Sequence, residues 1–105
     1  MATSKEKAQE LLAQIQAVAN ARIRPMMGEY LLYVNDKLVG QINENELFIK
    51  VTQFGEDFAA DLKKQSPYPG AKPAFIIPAD KINDQPWLRD FIAGTAEQLP
   101  DPKKR

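Results

Sequence analysis

The chain has neither cysteine nor histidine. That excludes disulfides, thiolate nucleophiles, Cys/His zinc sites, haem ligation by histidine and imidazole acid–base catalysis. The metal chemistry left open is a carboxylate-built Mg²⁺ or Ca²⁺ site, and no acidic run has EF-hand spacing. No cofactor and no metal are expected. An excess of charge of either sign is missing too, since 14 Lys and Arg face 14 Asp and Glu. Binding a phosphate backbone normally takes many unmatched basic residues, so direct DNA binding is not expected. The five glycines, at positions 28, 40, 55, 70 and 94, fit neither GxGxxG nor GxxxxGK[ST]. A Ser–His–Asp arrangement is impossible, and Asp and Glu are scattered over turns and exposed helix faces. The expectation is a protein that is not an enzyme. Long apolar runs are also lacking: nothing approaches the ~20 residues of a membrane span. The opening MATSKEKAQE has no apolar signal core, which predicts a cytoplasmic protein with no membrane association.

What is present fits one modest domain, residues 1–105, ending in a flexible basic tail at 100–105. Its organiser is Arg24–Val51, read as three antiparallel strands joined by two tight turns. Before it, Thr3 with Glu6 fits a capping box, Ser4 being the competing cap. Ala8, Leu11, Leu12, Ile15, Val18, Ala19 and Arg22 then recur at helical steps, predicting a helix of about four to five turns. Pro25 ends that helix by pushing Arg24 toward extended geometry. The first strand is Tyr30–Val34, and Asn35-Asp36 suits a two-residue turn. Lys37–Ile42 returns, Gly40 marking a bulge or a close approach. After Asn43–Asn45 comes Glu46–Val51, where Leu47, Ile49 and Val51 face the core and Phe48 faces away.

Thr52 caps a short helix carrying Phe54, Phe58 and Leu62, predicted to end near Lys64 or Gln65. Ser66–Gly70 reads as a loop, with Pro69-Gly70 in a type II turn. Ala74–Ile77 is a strand bounded by Pro73 and Pro78, with a very short companion near Tyr68. Asn83 or Asp84 caps the last helix, whose buried stripe runs from Leu88 to Leu99. The order α-β(3)-α-β(2)-α predicts a two-layer α+β fold, a mainly antiparallel sheet packed by helices.

Two stretches are candidates for contacts. The first is Arg24–Tyr30, where Arg24, Met26, Met27, Glu29 and Tyr30 form a possible recognition corner. A structural reading carries more weight there: methionine in the core, Gly28 allowing close approach, and Arg24 paired with Glu29 or with a carbonyl. The second is the stiff loop exposing Tyr68 and Lys72. An alternative is a small-molecule-binding module, with Tyr30, Phe48, Phe54 or Phe58 around an apolar pocket against the sheet. A weaker one is nucleic-acid association through the tail with Arg22 and Arg24. The sequence leaves monomer and homodimer open.

These same stretches resemble the N-terminal domain of the TfoX/Sxy family of bacterial competence regulators, in particular its short stand-alone members. The likeness is carried by Arg24–Tyr30, Leu32-Tyr33, Gly40, Leu47–Val51, Tyr68–Pro73 and Leu99-Pro100. The family's Arg-x-Met-Phe-Gly-Gly motif maps onto Arg24, Met26, Met27, Gly28 and Glu29, with Met27 replacing Phe and Glu29 replacing the second Gly. The resemblance implies an α-β(3)-α-β(2)-α fold similar to secretion chaperones. It also implies a non-catalytic regulatory module in competence or transcription control, with a protein partner such as a transcription regulator. The better known members act with a cyclic-AMP-responsive activator and carry a second domain, which is not expected in this chain.

Overall fold

The computed structural model describes residues 3–100; the basic tail lies outside the described residues. The elements run α1 (Lys5–Gln16), β1 (Ala21–Met26), β2 (Glu29–Val34), β3 (Lys37–Asn43), β4 (Glu46–Lys50), α2 (Gln53–Phe58), β5 (Lys64–Gln65), β6 (Ala74–Ile77), α3 (Ala79–Ile82) and α4 (Gln85–Gln98). The strands form one sheet in the order β1-β2-β3-β4-β6-β5, and every neighbouring pair is antiparallel. The fold is therefore two-layer α+β.

Four strands, rather than three, precede α2, because α1 is shorter than its apolar periodicity suggests. It ends at Gln16, and Ala21–Met26 becomes an edge strand. Val18 and Ala19 still pack on the core, but from the connection. Pro25 is tolerated because β1 is an edge strand, where a missing donor breaks no ladder. Exposed Arg22 and Arg24 with Pro25 also protect that edge from pairing with another chain. Ser4, not Thr3, caps α1: its hydroxyl accepts from the Lys7 N–H at 3.1 Å. Thr3 is buried instead and serves the β1–β2 corner.

All three hairpin turns use paired left-handed residues, Met27-Gly28, Asn35-Asp36 and Glu44-Asn45, with φ between 49° and 86°. This matches the right-handed twist of the flanking strands. Side-chain parity along the strands then sorts the sheet into two faces. Leu32, Val34, Leu47, Ile49, Phe75 and Ile77 share one buried cluster with Leu11 and Ile15 of α1 and Leu88, Phe91 and Ile92 of α4. The helices cover that face. On the opposite face the register aligns Leu31, Gln41, Phe48 and Ile76 across β2, β3, β4 and β6.

Other boundaries differ from the sequence reading for local reasons. The helix α2 stops at Phe58 and Lys64–Gln65 form β5, so the companion strand of β6 lies before Tyr68. Asp84, one of the two expected caps, does cap α4 through the Trp87 N–H, but a short α3 that was not expected precedes it. Val51, expected in the core, is 36% exposed because β4 ends one residue earlier. Phe54 and Phe58 stack at 5.1 Å between centroids, and Phe58 continues to Trp87 and Phe91, locking α2 onto α4.

Close packing bears differently on Gly40 and Gly94. A Cβ on Gly40 would sit 2.0 Å from the Phe48 carbonyl oxygen, which is backbone within the sheet. A Cβ on Gly94 would sit 2.2 Å from the Phe54 ring. A ring can turn aside and a strand cannot. Gly40→Ala is therefore expected to cost about 3 kcal/mol. Gly94→Ala is expected to cost less, because alanine regains about 1 kcal/mol of helix propensity. Urea denaturation of both variants checks the order.

Candidate functional site

The face of the sheet away from the helices carries the candidate residues. Arg22, Arg24 and Met26 of β1 project from it opposite Tyr33, Leu31 and Glu29 of β2. Arg22 is held, its Nε 3.4 Å from Asp36 Oδ1 and its Cζ 4.4 Å from the Tyr33 ring centre. Arg24 opposes Leu31, and the ion pair expected between Arg24 and Glu29 is not formed.

Glu29 has another task. Its Oε1 accepts from the Thr3 N–H at 2.9 Å, the Thr3 hydroxyl at 2.5 Å and the Glu44 N–H at 3.1 Å. The Thr3 hydroxyl in turn accepts from the Asn45 N–H at 3.1 Å, and the Thr3 N–H also points to the Gly28 carbonyl at 3.2 Å. One carboxylate thus ties the start of α1, the β1–β2 corner and the β3–β4 turn together. Charge-assisted bonds of this kind are about twice as strong as neutral ones.

The loop at 66–73 reaches the same face. Asn43 Nδ2 donates to the Pro67 carbonyl at 2.8 Å in a buried bond, and Ser66 Oγ donates to the Ala71 carbonyl at 2.8 Å. Ala71 N–H bonds back to the Tyr68 carbonyl at 3.1 Å, with Gly70 at φ 90° supplying the expected turn. So anchored, the loop places Tyr68 against the corner. A concavity of about 430 Å³ is lined by Met26, Met27, Glu29, Gln41, Asn43, Glu44 and Tyr68. A neighbouring cavity of about 380 Å³ lies between the loop and the sheet, bordered by Leu31, Phe48, Lys50, Tyr68 and Lys72.

Of the residues singled out from sequence, Met26, Met27, Glu29 and Tyr68 come together, with Lys72 next door. Tyr30 does not: it turns to the helix face and packs on the core. Phe54 and Phe58 lie with the α2–α4 aromatics, so the aromatic set considered for a small-molecule pocket is divided between the two sides of the sheet, Phe48 alone lining the open-face cavity. The sequence reading missed Gln41 and Lys50. The clean alternation of β4, which turns Phe48 and Lys50 to one side, was the signal for the second.

Met27 is unlike its surroundings. It is 96% exposed and has φ 53°, whereas Met26 is 41% exposed and Tyr68 49%. Among the described residues no cluster of Asp and Glu could hold a metal ion, and no helix is long and apolar enough to cross a membrane.

An uncharacterized 12.7 kDa protein in the trpE 5' region of Spirochaeta aurantia is 35% identical over 105 residues, spanning 100% of this chain and 90% of the relative. The chain belongs to that protein's family. No family model matches it. Because the alignment covers the whole length, the hairpin corner and the loop both fall within the shared region.

The Glu29 knot is testable by a double-mutant cycle. Glu29→Ala removes the charged acceptor shared by the Thr3 N–H, the Thr3 hydroxyl and the Glu44 N–H and is expected to cost about 2 kcal/mol. Thr3→Val in the Glu29→Ala background is expected to cost at least about 1 kcal/mol less than in wild type, read from denaturation midpoints.

Proposed function

We propose that this protein is a non-catalytic interaction module, a short relative of the TfoX/Sxy N-terminal domain, whose protein partner docks on the corner formed by Met26, Met27 and Tyr68. The observation that carries the reading is Met27. A left-handed backbone costs a non-glycine L-residue about 1–2 kcal/mol, and Asn-Gly is the favoured pair for this type of hairpin turn. Methionine accepts that cost at φ 53° while burying almost nothing within its own chain. An unbranched, polarizable side chain held at a hairpin tip is well suited to an adaptable apolar contact. Strain of this kind clusters at functional positions.

The family likeness supports the same place. Its two motifs, far apart in sequence, line one concavity through Met26, Met27, Glu29 and Tyr68. Gene regulation, in competence or elsewhere in transcription, is the setting that the likeness suggests, with a transcription regulator as partner and the cytoplasm as the compartment. Association with nucleic acid through Arg22 is disfavoured, because Asp36 and Tyr33 already engage its guanidinium.

Met27→Asn separates the two roles of the residue. It is expected to stabilise the fold by about 0.5–1 kcal/mol, since asparagine suits the turn. With Tyr68→Ala added, capture of partner from cell extract is expected to fall at least tenfold. An unchanged set and yield of captured proteins, with both variants folded, would contradict the assignment.

A further inference from the structure

The cavity between the sheet and the loop has a chemistry distinct from that of the corner. Its floor is apolar: Leu31 and Leu38 from β2 and β3, and Phe48 from β4. Tyr68 and Ala71 of the loop form one wall, and Leu99, just after α4, borders it too. Lys50 and Lys72 are its charged residues, and among the described residues no Asp or Glu lines it. Neither lysine has an ion-pair partner among the described residues. In a chain whose charges balance overall, two cations with no acidic residue in the same lining mark a local asymmetry. The volume, about 380 Å³, falls at the small end of the range for small-molecule sites.

We propose that this cavity binds a small amphipathic carboxylate, its apolar body on Leu31, Leu38 and Phe48 and its carboxylate between Lys50 and Lys72. Two ammonium groups complement one carboxylate as point charges, and Lys side chains can reach inward over apolar surface while keeping their heads wet. A neutral ligand would leave the asymmetry unused, and a bare anion would leave the apolar floor in water. Gln41, also in the lining, offers an amide for the second carboxylate oxygen. Met26 and Met27 do not line this cavity, so the proposal does not rest on the partner reading, although Tyr68 borders both sites.

The test is ¹⁵N–¹H NMR titration of the full chain with 4-phenylbutyrate, its neutral amide 4-phenylbutyramide, and acetate. The expected result is saturable shifts at the amides of Leu31, Gln41, Phe48 and Lys72, half-complete below about 1 mM. The amide and acetate are each expected to bind at least tenfold more weakly. A Lys50→Gln/Lys72→Gln double variant, whose spectrum reports its own folding, is expected to lose at least tenfold for the carboxylate. Absence of lining shifts would overturn the proposal. Equal binding of the amide would reduce the site to an apolar crevice, equal binding of acetate would reduce it to diffuse charge attraction, and unchanged affinity in the double variant would remove the lysines; each overturns the proposal as well. Met27→Asn is expected to leave this titration unchanged, so failure of the corner and failure of the cavity are distinguishable.

Discussion

The candidate site depends on how Phe48 is kept from water. It sits on β4, in the interior of the sheet, on the face that the helices do not cover, yet it is only 3% exposed. Leaving a ring of that size in solvent forfeits about 2–3 kcal/mol of burial. Gln41 and Ile76 flank it across the strands, and the 66–73 loop contributes Pro67, Tyr68 and Ala71 around the same space. The Asn43–Pro67 bond fixes where the loop lands. Tyr68 and Lys72 are on the open face because that loop is there. A packing requirement thus assembles the contact surface.

A second tie, made of polar groups, holds the other half. Glu29 gathers donors from Thr3 and Glu44, so the β1–β2 corner cannot move without disturbing the start of α1 and the β3–β4 turn. Met27 projects from this rigid frame. A flexible side chain on a fixed backbone loses little on binding beyond its own rotamers. The two ties meet where β3 runs into its turn: Asn43 anchors the loop and Glu44 completes the Glu29 knot.

Where the sequence carries strict alternation, the structure was legible in advance: Leu47 and Ile49 inward, Phe48 outward, with Asn35-Asp36 turning the chain. The same holds for the α+β class and for the apolar stripe of α4. The strand β1 was not legible, because Val18, Ala19 and Arg22 continue a helical period past the true end of α1. Tertiary pairing of Ala21–Met26 with β2 outweighed that local signal. The bonds of Glu29 were hidden for a different reason. Thr3 lies 26 positions away and fits a capping box, so nothing local pointed across the fold. Lys50 and Lys72 sit on separate elements, and their shared cavity exists only once the loop has docked.

Hydrogen exchange at the Ala71 amide tests the central claim, that docking over Phe48 builds the site. This amide bonds only within the loop, to the Tyr68 carbonyl, so its protection reports loop order. If the loop is held by the sheet, Asn43→Ala and Phe48→Ala each speed its exchange at least about tenfold, while Leu32 and Ile49 on the sheet stay protected. Unchanged exchange at Ala71 in both variants would mean that the loop orders itself, and would contradict the account.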